Sequence, residues 1–273
     1  MTDFAIDWQA PWLHGLRGAG LAACALRARG LSVAQALQQL ADAQGLPWRF
    51  VPQQELPAGM AYERFVFETR SIPTRDNLHD FFNGLMWLRW PALKQRCNAL
   101  QAGAIAQAGV GGRRGALRDA ITVLDENGAL LLAPAALCNA LRRRQWHALF
   151  VGQRVLWQQA RLLPMGHALL EKLVQPRKPI TAHVLCVHTD GAPPDGPPPP
   201  HDGPNMDAWL AASDWLRPEV LCGKPFVPLP VLGVPGWCHE NENFSFYDDS
   251  LVFRAPRFPQ TAQQEAAPAR DPA

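Results

Sequence analysis

Apolar residues recur every three to four positions through LSVAQALQQLADAQ, from Leu31 to Gln44, and predict an amphipathic surface helix with Ser32 as its N-cap and Gly45 and Pro47 as its stop. A denser pattern begins at NLHDFFNGLMWLRW. Capped by Thr74 or Asp76, it predicts a helix that Pro91 breaks or kinks, followed by another from about Ala92 to Ala108. At roughly 100° per residue, Phe81, Phe82, Leu85, Met86 and Leu88 share one side of the first of these, with Phe82, Leu85 and Met86 expected inward. Asp76, His79, Asp80 and Asn83 fall within a sector about 100° wide on the other side. Buried helices rarely carry an imidazole, a carboxylate and an amide together unless those groups are paired or used. That polar stripe is therefore where chemistry is first sought.

Elsewhere the pattern is mixed. In YERFVFETRSIPTR, Phe65 and Phe67 alternate with Val66 and Glu68 over too few residues to separate a strand from a short helix. ALRDAITVLDENGALLLA reads as a hairpin near residues 118–133, two strands turned at Asp125, Glu126, Asn127 and Gly128. The stretch from Pro134 to about Gln159 is helical in pattern, HALLEKLVQ predicts a helix and ITAHVLCV a strand, a short helix is expected around Trp209 and Trp215, and a final strand near FYDDSLVFR. GVGGRRG predicts a flexible turn, and GAPPDGPPPPHDGP, from Gly191 to Pro204, a surface loop that neither supplies helix donors nor packs a core. The expected architecture is α+β: one helix-rich domain with a small β-sheet. An N-terminal helical lead (1–61) packs on the main part (62–254), which carries the proline-rich loop (191–204), and a disordered tail follows (255–273).

Composition narrows the function classes. Apolar residues make up 48% of 273, enough for a substantial core, and a net charge of +2 lacks the basic excess of a dedicated nucleic-acid binder. The start, MTDFAIDWQAPW, has no basic region followed by an apolar run, and later apolar stretches are interrupted well before membrane-spanning length. Six cysteines without CxxC pairing fit reduced, mostly buried thiols of a cytoplasmic protein better than a disulfide framework or structural zinc. A small molecule is the expected partner, nucleic acid and membrane are not, and no pattern sets the oligomeric state.

Several segments together, SIPTRDNLHDFFNGLMWLRWPALKQRCN, RGALRDAITVLDENG, GHALLEKL, PLPVLGVPGW and FYDDSLVFR, resemble an uncharacterised bacterial group, the domain-of-unknown-function family 3025. The resemblance runs from about Tyr62 to Arg254. It implies no established reaction, ligand or cofactor.

The chemistry is therefore read from residues. His79, Asp80 and Asn83 could hold a metal ion, position a water, or tie the PTR segment to the helix start, with Asp80 pairing Arg75. His167 and Glu171, four apart in MGHALLEKL, project from one helix face but lack the second histidine of HExxH. Arg118 and Asp119 enter the expected hairpin, Asp125 and Glu126 suit its turn, and Tyr247, Asp248 and Asp249 precede the expected final strand. No nucleophile elbow, Walker loop, dinucleotide fingerprint, kinase signature or other cofactor motif is present. Two readings follow. The first is a hydrolase with His79, Asp80, Asn83, Asp119, His167 and Glu171 as its catalytic set, around an activated water or a divalent metal bound by His79 and Asp80. The second is a non-catalytic binding protein whose groove is lined by Trp87, Trp90 and Trp237. The first requires His79 and Asp80 to come within reach of Asp119, His167 or Glu171.

Overall fold

The structure, a computed structural model, describes residues 4–108, 115–190 and 204–255. The glycine turn and nearly all of the proline-rich loop and the tail lie outside these residues. The chain begins with helices α1 (Arg17–Ala28) and α2 (Val33–Ala43). Ser32 caps α2 as expected, in a capping box closed by Gln35, and Gly45 beyond its end takes the left-handed conformation at φ +66. Strand β1 (Arg49–Pro52), helix α3 (Tyr62–Thr69) and strand β2 (Ser71–Thr74) follow, and β1 pairs with β2 in parallel. The ambiguous YERFVFETRSIPT stretch is thus helix and then strand.

Helix α4 (Leu78–Arg89) buries Phe82, Leu85 and Met86, as its apolar face requires. Its cap is neither Thr74 nor Asp76 but Asn77, whose Oδ1 accepts from the Asp80 amide at 2.7 Å. Asp76 instead accepts from the Val33 amide at 2.6 Å and ties α4 to the start of α2. Helix α5 (Pro91–Ala108) begins with the proline that ends α4. Its first free amides, at Ala92 and Leu93, are capped at 2.7 and 2.9 Å by the buried carboxylate of Asp207, which arrives from helix α9 (Pro204–Ala212).

The expected hairpin is replaced by helix α6 (Ala116–Asn127), which runs directly into strand β3 (Gly128–Ala133). The β-branched run Ile121-Thr122-Val123 favours a strand locally. Burial follows the helical spacing of Ala120, Ile121 and Leu124, however, and the Thr122 hydroxyl donates to the Arg118 carbonyl one turn back at 2.8 Å. Packing against α5 overrides the local preference. Gly128 makes the abrupt joint feasible, because a Cβ there would lie 2.3 Å from the Leu124 carbonyl.

Strand β3 is central in a four-stranded sheet completed by β4 (Arg161–Pro164), β5 (Thr181–His188) and β6 (Val227–Pro230), in the order β4-β3-β5-β6. β3 and β5 run parallel, and both edge strands are antiparallel to them. Every residue of β3 is buried, as expected of a strand covered on both faces. Leu130, Leu132, Leu185 and Val187 point into one core with α4, whereas Ala129, Leu131, Ala133, Val184 and Cys186 point into a second, aromatic core. The stretch after Pro134 is broken: helix α7 (Ala135–Arg142) stops near Arg144, at φ 50, and short turns follow. The expected final strand is also absent, since Phe244–Asp248 forms a 3-10 turn. The molecule is a mixed α+β domain. Among the described residues no helix is long and apolar enough to cross a membrane.

Candidate functional site

Helix α8 (His167–Lys172) leans on both α4 and α6, and one glycine allows the close approach. A Cβ on Gly166 would meet the Glu126 carbonyl at 2.4 Å. The amides of Met165 and Gly166 both donate to the Gly128 carbonyl at 2.9 Å, fixing the start of α8 against the end of α6. This junction puts His167 beside Asp125 and Glu126 and points Glu171 at α4.

His79 meets both residues of α8. Its Nδ1 lies 2.8 Å from Glu171 Oε2, and its Nε2 lies 3.1 Å from His167 Nε2, the rings edge to face at 4.5 Å. His167 in turn sets its Nδ1 3.7 Å from Asp125 Oδ2, too long for a hydrogen bond. Ligand atoms of His79, His167 and Glu126 all lie within 4.8 Å of one another. Beside them Lys94 Nζ donates to Asn83 Oδ1 at 2.8 Å and to Asp125, and Asn83 Nδ2 donates to the Tyr62 hydroxyl at 3.2 Å. The group opens onto a cleft of about 440 Å³, whose walls include Gln53, Arg75, Gln101 and Thr122. The His79 side chain is 33% exposed there and that of His167 only 6%.

Burial sets the charge states. Desolvation pulls the His167 imidazole down to about 4 against the opposing pull of Asp125, which leaves it neutral near pH 7. Burial alone would raise the Asp125 carboxyl, but the Lys94 ammonium and neighbouring histidines hold it below the ordinary carboxylate range. Burial, assisted by the Asp125 and Asp80 carboxylates, raises Tyr62 far above its usual value despite the Asn83 hydrogen bond, so its hydroxyl stays protonated.

Of the residues singled out in the sequence, His79, His167 and Glu171 converge directly, and Asn83 joins through Lys94. Asp80 lines the cleft but is already engaged: the Arg75 amide, Nε and Nη2 bind its two oxygens at 2.6, 2.9 and 2.9 Å, which leaves it pairing Arg75 and not sharing a metal with His79. Asp119 is outside the site. On a helix and not a strand, its exposed carboxylate sits 3.6 Å from Lys224, while Arg118 lies near Glu63 at 4.0 Å. The tryptophan groove does not form, because Trp87 and Trp90 are buried in the α4 core and Trp237 packs on the aromatic one, against Trp12. Asp248 and Asp249 pair with His147 and Lys178. Asp125 and Glu126 carried no strong sequence signal. The helical spacing of Ala120, Ile121 and Leu124 was the available clue, since on a helix it removes the turn that otherwise explains both acids.

The model of the family described as Protein of unknown function (DUF3025) matches residues 48–257, well over half of the chain. The chain belongs to that family. His79, Lys94, Asp125, Glu126, His167 and Glu171 all fall inside the DUF3025 match. No curated protein and no solved structure matches the chain.

Proposed function

We propose that the cleft is the active site of a hydrolase in which a water is activated where His79 and His167 present their Nε2 atoms. One observation carries this reading: the two Nε2 atoms face each other at 3.1 Å beside an open cleft, while Glu171 grips the far nitrogen of His79. A carboxylate on Nδ1 fixes the tautomer and leaves the Nε2 lone pair directed at His167, the state required of a base or a ligand. Glu171 is thus a positioning residue. Lys94 offsets the charge of Asp125, and with Asn83 and Tyr62 it forms a hydrogen-bonded wall that holds the histidine surroundings in one arrangement. Arg75 and Asp80 line the cleft as a neutralised guanidinium–carboxylate pair. The volume and polar walls suit a small polar substrate. Six free cysteines fit a reducing cytoplasm as its place of action.

A panel of small carboxylic esters, amides and phosphoesters, assayed with the wild-type protein and with His79→Ala, tests the reading. Turnover that falls by about 100-fold or more in the variant is expected, with the exposed Asp119→Asn unchanged. A ligand that binds the cleft without being cleaved by wild-type protein would move the site to the non-catalytic class.

A further inference from the structure

We infer that the facing imidazoles and Glu126 form a binding site for one first-row divalent cation, held by His79 Nε2, His167 Nε2 and a Glu126 carboxylate oxygen. The inference deepens the hydrolase reading by naming what activates the water, but its evidence is a proton count that does not depend on hydrolysis. Glu171 requires the His79 proton on Nδ1, leaving a lone pair on Nε2. With His79 neutral, His167 then has two choices, and neither is satisfied. With its proton on Nε2 it donates to His79, but its buried Nδ1 lone pair faces the Asp125 carboxylate at 3.7 Å with no hydrogen-bond partner. With its proton on Nδ1, towards Asp125, two nitrogen lone pairs confront each other at 3.1 Å. A shared proton would settle the two Nε2 atoms alone, whereas a cation between them also takes up Glu126, whose ligand atom lies within 4.8 Å of both: both lone pairs become ligands, and both Nδ1 protons point to carboxylates.

The dimensions agree. With bonds of about 2.1 Å, nitrogens 3.1 Å apart subtend about 95° at a shared ion, the angle between adjacent positions of a five- or six-coordinate centre. Two ligands opposed across such an ion lie at most about 4.2 Å apart, so the present 4.8 Å spread closes with a small swing of the part-exposed Glu126 side chain. The remaining positions face the cleft. The Gln101 carbonyl oxygen, buried and without a hydrogen-bond partner, lines the same cleft. Imidazole and carboxylate donors suit zinc, manganese, iron or cobalt and not a hard calcium ion. Asp125 and Glu171 are the carboxylates that orient its histidines.

Full-length protein stripped with a chelator and titrated with cobalt or manganese alone tests this, read by calorimetry and by the visible absorption of cobalt. Wild type is expected to take up one ion per chain and to gain thermal stability with it. His79→Ala and Glu126→Gln, each checked by circular dichroism for a native fold, are expected to lose more than about 100-fold in affinity, and Glu171→Gln about 10- to 100-fold. Asp119→Asn is expected to bind as wild type does. Wild-type protein that binds no ion, or variants that bind as tightly as wild type, would overturn the site and leave a shared proton between the histidines. Hydrolysis by protein shown to be metal-free would overturn the cation's part in activating the water while sparing the hydrolase reading. A stoichiometric ion at these residues without turnover would support the site and sink the hydrolase reading.

Discussion

The two faces of the central sheet handle polar groups in opposite ways. On the aromatic face, Phe150 stacks on Tyr247 at 5.0 Å beside Trp146 and Trp157, and most buried polar atoms are closed off pairwise, Gln153 Oε1 being an exception. The Tyr247 hydroxyl donates to the Gly233 carbonyl, the Trp157 and Trp146 indoles donate to Leu149 and Arg254, and Asn241 donates to Leu232 and Val234. On the other face His79, His167, Asn83, Lys94 and Asp125 are linked across four helices, leave His167 Nδ1 unpartnered, and open to a cleft. Sealed pairs add to stability and specify packing, whereas groups left short of partners beside solvent are available for a ligand.

Substitutions can break that contrast. The largest expected effect is on the sealed side: Phe150→Ala removes a fully buried ring and should cost roughly 3–5 kcal/mol in urea unfolding while cation affinity in the folded protein stays at its wild-type value. Altered affinity would mean that the faces are coupled. Next is Gly166→Ala, whose new Cβ meets the Glu126 carbonyl. It should cost about 1–3 kcal/mol by overpacking and, unlike Phe150→Ala, should weaken cation binding, because it pushes His167 away from α6. Tyr247→Phe leaves the Gly233 carbonyl and an Arg154 donor unmatched in the sealed core. A loss of about 1–2 kcal/mol, with the cleft unaffected, is expected. The smallest stability effect is expected at His79, where water can replace the part-exposed side chain. His79→Ala should change unfolding free energy by less than about 1 kcal/mol while abolishing cation uptake, and a loss of 2 kcal/mol or more would class His79 with Tyr247 as structural.

Much of this was readable along the chain. The helices at Val33–Ala43 and Leu78–Arg89 follow from apolar spacing alone, and the strand Thr181–His188 from its β-branched run. The helix Ala116–Asn127 was not readable as one, because Ile121, Thr122 and Val123 prefer strand conformation and only contact with neighbouring helices rewards the helical alternative. Local strand preference conceals half of the site: as a hairpin turn, Asp125 and Glu126 need no function, whereas at the end of a helix pressed on Gly166 they face two histidines.

Spacing along the chain marks the elements that carry polar groups they cannot satisfy alone: an imidazole, a carboxylate and an amide on the apolar helix Leu78–Arg89, and a His-Glu pair on a short one. Local spacing and polarity suffice for that, since burial of a helix face is set by its own residues. The distant partners were set by folding. The Asp80–Arg75 pair, five residues apart, was legible locally, but the fold sent Asp119 to solvent and brought His79 to residues 88 and 92 positions away. Such pairings depend on how closely helix ends approach, here through Gly128 and Gly166, and close approach is a property of packed surfaces that no single stretch of chain encodes.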